Sequence, residues 1–320
     1  MPAFEPFEEV PEVEALAERL GDADPSVRCV AVMSLAESAE VEALPHLIAA
    51  LRDPVAEVRL QAALALEAFD VPPSAAALAE ALADGDPRVA QAAADSLAEF
   101  KNPDCAPSLL RRIDSDRPGV RASIFRALKE LRHPQSLKPA LAAIEDHNAG
   151  VRVQAVGVLG YLKIEEALPA LIRATRDADA EVRRMGLGAL GFSRNQHAID
   201  ALLKGLDDTD WRVREVAAET LGRLGMDTAV DRLMAAMEDG YWQVRVQATR
   251  SLGKLRAVRA IPVIGPALQH SISNLRKEAA AALGEIAHAT ALPFLEGAVE
   301  DPDPDVRKNV RWAIGRVRAA

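Results

Sequence analysis

Two cysteines, Cys29 and Cys105, are all the thiols in 320 residues. The repeat register described below puts them on different helices, so no disulfide framework is implied. The opening "MPAFEPFEEV" has proline and acids but no basic stretch ahead of an apolar run, which excludes a secretory signal. No uninterrupted apolar stretch approaches the roughly 20 residues of a membrane span. The cytoplasm is the default location. Chemistry-bearing patterns are missing as well. His46, His133, His147, His197, His270 and His288 scatter over turns and different helices, with no pairing at metal-ligand spacing. There is no glycine-rich phosphate loop, and acid pairs such as Glu165–Glu166 and Asp207–Asp208 read as helix-end charges rather than as a general acid and base. Cys29, beside Arg28, is a nucleophile candidate without a recognisable base. No catalytic residue, metal site or cofactor is expected.

Basic residues are scarce where acids are dense. Residues 1–100 hold 20 acids and 5 bases, residues 101–240 hold 21 of each, and residues 241–320 hold 7 acids and 12 bases. Under a net charge of -10 there is therefore a graded polarity along the chain, and its acidic end should prefer basic partners.

What the sequence has in abundance is repetition. "DTDWRVREVAAETLGRLG", from Asp208, and "EDGYWQVRVQATRSLGKL", from Glu238, are two copies of one unit. Its apolar anchor falls at Val27, Val58, Val89, Val120, Val151, Val182, Val213, Val244, Leu275 and Val306, ten positions spaced 31 residues apart without insertion. Eight residues after each anchor stands Leu35, Leu66, Leu97, Leu128, Leu159, Leu190, Leu221, Leu252, Leu283 or Ile314. Four residues after it the side chain is usually alanine, as at Ala31, Ala62 and Ala217. That spacing is the apolar stripe of an amphipathic helix. Asp24-Pro25, Asp86-Pro87 and Asp303-Pro304 supply helix starts, and Gly222, Gly225 and Gly253 stand where a turn tightens or a neighbour passes close. A second stripe in each unit, such as Ala43, Leu44, Leu47, Ile48 and Leu51 with Pro45, predicts a partner helix. A hairpin of this kind cannot bury both apolar sides alone, so the units must stack. The reading is all-α: an α-solenoid of about ten helical-hairpin repeats, continuous over residues 11–320, with residues 1–10, including Phe4, Pro6 and Phe7, as a cap or short tail.

Written D-x-D-x-x-V-R-x-x-A-x-x-x-L-G-x-L and followed by A-L-P-x-L-x-x-A-L, the unit resembles the HEAT-like repeats of the phycobilin-lyase type over nearly the whole chain. Ala90 replaces an arginine, Arg117 an aspartate and Ile124 an alanine, departures that suggest a natural rather than a consensus-built sequence. The resemblance implies either a scaffold, adaptor or assembly factor, or a subunit that handles bilin chromophores. It also places the helix that carries the Val-Arg pair on a concave, partner-binding side.

The arginine after the anchor recurs as Arg28, Arg59, Arg121, Arg152, Arg183, Arg214, Arg245, Arg276 and Arg307. A stripe of arginines can cradle phosphates. Here aspartates such as Asp179, Asp208, Asp210 and Asp239 recur alongside it and cancel that attraction, so a structural ladder between units is favoured and nucleic acid is an unlikely partner. The candidate protein-binding face comprises Arg184, Met185, Trp211, Arg212, Glu215, Trp242, Gln243, Val246, Arg250 and Trp312, since tryptophan and arginine most often anchor interfaces. In the first two units the corresponding sites, Ser26, Cys29, Val30, Met33, Glu57, Leu60, Gln61 and Leu64, are unusually apolar for wetted positions. A protein or peptide partner without enzymatic turnover is the expected function.

Overall fold

The computed structural model describes residues 13–320. The expected cap or tail over residues 1–10 lies outside the described residues. Those described form two compact units, one ending at Leu162 and the other spanning Lys163–Ala320, and no strand occurs among them.

In the first unit the helices are α1 (Val13–Glu18), α2 (Pro25–Ser38), α3 (Leu44–Ala50), α4 (Ala56–Ala65), α5 (Pro72–Ala81), α6 (Pro87–Glu99), α7 (Ala106–Leu110), α8 (Pro118–Leu131), α9 (Leu137–Ala143) and α10 (Ala149–Leu162). The second unit continues with α11 (Leu168–Ala174), α12 (Ala180–Ala189), α13 (Gln196–Gly205), α14 (Trp211–Leu224), α15 (Val230–Ala236), α16 (Trp242–Lys254), α17 (Ile261–Ile264), α18 (Ser273–Ile286), α19 (Leu292–Glu296) and α20 (Pro304–Ala319). The even helices carry the Val-Arg pair, save for Val89-Ala90 in α6 and Leu275-Arg276 in α18, and the odd helices carry the second stripe. Within each unit successive even helices pack on one another, so both units are α-solenoid in construction.

Local sequence explains the helix ends. Asp24, Asp86, Asp210 and Asp303 accept hydrogen bonds from the backbone N–H two residues on, and proline stands in the first turn of α2, α6 and α20. The even helices with clear stops end twelve residues after the anchor in a left-handed residue. Gly225 serves there with φ 68°, but Ala39, Arg132, Lys163, Arg256 and Ala287 adopt the same conformation without being glycine.

The columns read from the sequence form the core. Val58, Val89, Val213 and Val244 are buried, as are Leu35 through Leu283 in the leucine column and Ala31, Ala62 and Ala217 in the alanine column. Burying one such leucine or valine side chain stabilises by roughly 1.5–3 kcal/mol. The glycine of Leu-Gly has a different task. A Cβ on Gly253 would lie 2.7 Å from the Cα of Ala282, and one on Gly222 would lie 2.4 Å from the Cβ of Ser251. Here α14, α16 and α18 approach backbone to backbone, and the Ser251 hydroxyl donates to the Ala218 carbonyl across the gap at 2.9 Å. Ser96 makes the same bond to Ala63 between α6 and α4 at 3.0 Å.

Candidate functional site

Each repeated arginine begins at the first turn of an even helix and reaches back over the loop that precedes it. All nine donate through Nη1 to the carbonyl six residues earlier, at 2.6–3.2 Å. A carboxylate 25 residues ahead is held in a two-pronged grip by Arg28 with Asp53, Arg59 with Asp84, Arg121 with Asp146, Arg183 with Asp208, Arg214 with Asp239 and Arg276 with Asp301, all at 2.6–2.9 Å. Each of these aspartates also accepts the N–H two residues on, which fixes its own turn. The carboxylate thus belongs to the following repeat, whereas Asp179 and Asp210, nearer in sequence, cap helices instead.

The pairs are largely buried, with aspartate side chains 5–14% exposed. The arginine hydrogen bond holds the carboxyls of Asp53, Asp84, Asp239 and Asp301 below their usual range, with burial opposing. For Asp146 and Asp208, burial pushes upward most strongly but is outweighed by the arginine and the turn N–H together. Two columns depart from the pattern. Ala90 has no guanidinium to offer, and Ser115 stands where its aspartate would be, still accepting the Arg117 N–H at 3.3 Å. Arg245 keeps its guanidinium, but the residue 25 ahead of it is His270, whose Nδ1 accepts the Ile272 N–H at 3.0 Å. The Arg245 Nε is buried with no hydrogen-bond partner among the described residues.

The candidate binding face lies on α12, α14, α16 and α20 of the second unit. Its arginines are occupied within the protein: Arg184 bonds Glu181, Arg212 bonds Asp210 at 2.8 Å, and Arg250 grips Glu278 at 2.7 Å while touching Gln247 at 3.4 Å. The Arg212 hydrogen bond draws the Asp210 carboxyl down to about 2. Glu215 is half-buried between them; burial first, and then Glu219, raises its pKa, while Arg184 and Arg250 oppose. Met185 and Val246 are half-buried, and the Gln243 carbonyl oxygen is buried with no hydrogen-bond partner among the described residues.

The three tryptophans have separate surroundings. Trp211, half-buried, stacks on Tyr241 with centroids 5.6 Å apart and planes 13° from parallel, and the Arg214 guanidinium lies 5.6 Å from the same tyrosine ring. Trp242, the next residue, remains 36% exposed. Trp312 lies on α20 against Gly284 of α18 and is 47% exposed. Trp211 and Tyr241 therefore pair across adjoining helix starts, Trp242 follows Tyr241 in the chain, and Trp312 stands two even helices further on. Tyr241 escaped the sequence reading; the signal for it is its place thirty residues after Trp211.

Neither thiol is poised as a nucleophile. Burial, then Glu57 and Asp53, raises the pKa of Cys29. Burial and the Asp70 carboxylate push that of Cys105 up to about 12. Both keep their protons at neutral pH. No helix among the described residues is long and apolar enough to cross a membrane.

Stacked helical hairpins clamped by a repeated Arg–Asp pair define an α-solenoid protein. A family model for HEAT repeats matches residues 13–98, 75–152, 137–222, 168–240, 199–273 and 261–319, and the chain belongs to that family. Solved structures of similar fold include yeast importin-β (Kap95p), with a TM-score of 0.68 at 15% identity over 95% of this chain and 52% of that one. A second importin-β structure gives 0.60 at 17% identity over 96% and 50%. A Kap95–Nup1 complex gives 0.63 at 14% identity over 95% and 50%. The chain spans about half the length of these proteins, and at such identities the likeness is one of fold. A comparison with curated proteins returns no match.

Proposed function

We propose that this protein is a non-enzymatic scaffold, adaptor or assembly factor that holds a protein or peptide segment on the even-helix face of its second unit, in the cytoplasm. The observation that carries the reading is Trp242, an indole left 36% exposed beside the stacked Trp211–Tyr241 pair. An exposed aromatic on a rigid, already ordered neighbour gives contact area at small entropic cost, which is how interface anchors work. Arg212, Arg184 and Arg250 already hold carboxylates, so on this reading they serve as a polar rim and contribute less than the ring. Trp312 extends the face.

The test is affinity capture from the native organism with mass spectrometry, using the full chain and its Trp242→Ala variant. A partner captured by the parent and reduced about tenfold by the variant, with the melting temperature unchanged, supports the reading. An identical set of captured proteins would count against it. Trp211→Ala provides the contrast: loss of a stacked aromatic should lower stability by roughly 0.5–1.5 kcal/mol beyond its lost burial. The phycobilin-lyase reading rests on the resemblance of the repeat unit alone, and a bilin titration with no change in absorption retires it.

A further inference from the structure

The first unit carries a surface that the foregoing proposal leaves unused. On α2, Val30 and Met33 are 47% and 49% exposed, one turn apart; on α4, Leu64 is 47% exposed and Leu60 half-buried, also one turn apart. The equivalent positions of the second unit mix apolar residues such as Met185, Val216 and Val246 with charged ones, Arg184, Glu215, Glu219, Arg250 and Glu278, and Arg250 and Glu278 pair across two helices there. Since α2 packs directly on α4, the four side chains stand at matching register positions of two adjacent helices, with Gln61 between Leu60 and Leu64, and make up an apolar strip by position. Isolated exposed apolar residues need no explanation, but a strip at sites that elsewhere carry an ion pair does.

Charge identifies what covers it. Glu37 lies one turn beyond Met33, Glu67 just beyond Leu64, and Glu57 one turn before Leu60; all three are exposed. The bases of this region are mostly spent. Arg28 and Arg59 grip Asp53 and Asp84, Arg88 holds Asp86 and Glu57, and Arg52 leans on Glu80. Arg88 offsets Glu57, but no ion pair among the described residues holds Glu37 or Glu67, so the strip keeps an acidic border there. A second copy of this chain would bring the same negative charge to the contact.

We infer that the α2–α4 strip docks a basic amphipathic segment of a partner protein, its apolar side chains set on Val30, Met33, Leu60 and Leu64 and its lysines or arginines reaching Glu37 and Glu67. The site is in the other unit from Trp242, so the two surfaces stand or fall separately.

The experiment uses two synthetic amphipathic peptides of about 14 residues, roughly four helical turns, one of leucine and lysine and one of leucine and glutamate. Binding to the full chain is read by fluorescence anisotropy at low and high salt. The inference expects the lysine peptide to bind and the glutamate peptide not to. Met33→Ser/Leu64→Ser should weaken binding about tenfold without moving the melting temperature, because half-exposed side chains contribute little to the core. Glu37→Lys/Glu67→Lys should weaken it and flatten its salt dependence. Trp242→Ala should leave it unchanged. The inference is overturned if the lysine peptide fails to bind, if both peptides bind alike, or if Met33→Ser/Leu64→Ser binds as the parent does. It is also overturned if sedimentation shows a dimer of the parent that Met33→Ser/Leu64→Ser dissociates, since the occupant is then a second copy.

Discussion

Arg245 is the arginine of the ladder whose structural reading fails locally. Its guanidinium is held at Asp239 like the others, yet the group 25 residues ahead is His270, and Nε finds no hydrogen-bond partner among the described residues. An unsatisfied buried donor costs roughly 1–3 kcal/mol. His270→Asp should therefore raise stability by about 1 kcal/mol, read as a higher urea midpoint with an unchanged slope. No gain would show that the Arg245 donor is already satisfied and overturn this reading. The Ala90–Ser115 column sharpens the comparison, because there both partners are replaced and no donor is stranded. Ala90→Arg alone should be neutral or destabilising, whereas Ala90→Arg/Ser115→Asp should stabilise, and the difference from additivity measures one rung. Recurrence of Arg and Asp was legible in the sequence. Which of two aspartates per repeat takes the guanidinium was not, since the choice depends on how far a loop folds back, and spacing alone does not encode that.

Helix ends and helix crossings set the next level. Ala39 and Ala287 end α2 and α18 in the left-handed region that Gly225 occupies at the end of α14, with φ of 52° and 51°. Ala39→Gly and Ala287→Gly should each raise stability by roughly 0.5–1 kcal/mol by relieving Cβ strain. The opposite exchange inside the helices separates packing from propensity. Gly253→Ala should destabilise by about 2 kcal/mol or more, because the new methyl meets the Ala282 backbone. Gly315→Ala, with no atom within 4 Å of the new Cβ, should stabilise by about 1 kcal/mol. Thermal midpoints of the four variants check both statements. The periodicity gave the helices and their buried columns directly, because a period of 31 leaves only one apolar side per helix. It did not separate a glycine that ends a helix from one that lets two helices touch; Gly225 and Gly222 look alike until their neighbours are in place.

For the molecule as a whole, the repeated pair makes acid sensitivity a collective property. Asp53, Asp84, Asp146, Asp208, Asp239 and Asp301 all titrate below the ordinary 3.8 of an aspartate. The unfolded chain then binds more protons than the folded one as the solution turns acid. Their stabilisation is fully present above the ordinary range and is lost as pH falls through the depressed folded values, so urea midpoints should hold from pH 7 to about 5 and then drop steeply. Asp208→Asn should lower the midpoint at pH 7 and make the acid limb shallower; an unchanged limb would show that rungs do not govern it. The candidate binding face was the least legible level. Trp211 and Trp242 occupy the same column, and only their neighbours, a stacked Tyr241 for one and open surroundings for the other, distinguish a ring that joins repeats from one available to a partner.

The 25-residue reach of the ladder also has a meaning in time. During synthesis each arginine leaves the ribosome well before the aspartate that completes its grip. At roughly 5–20 residues per second, that interval is about 1–5 s. Through it the newest repeat is held by its own loop carbonyls, with its forward-facing donors still in water. Where the grip is present, growth of the chain thus fastens a repeat only when its successor arrives, so a pause in translation there leaves one unfinished edge rather than a half-folded whole.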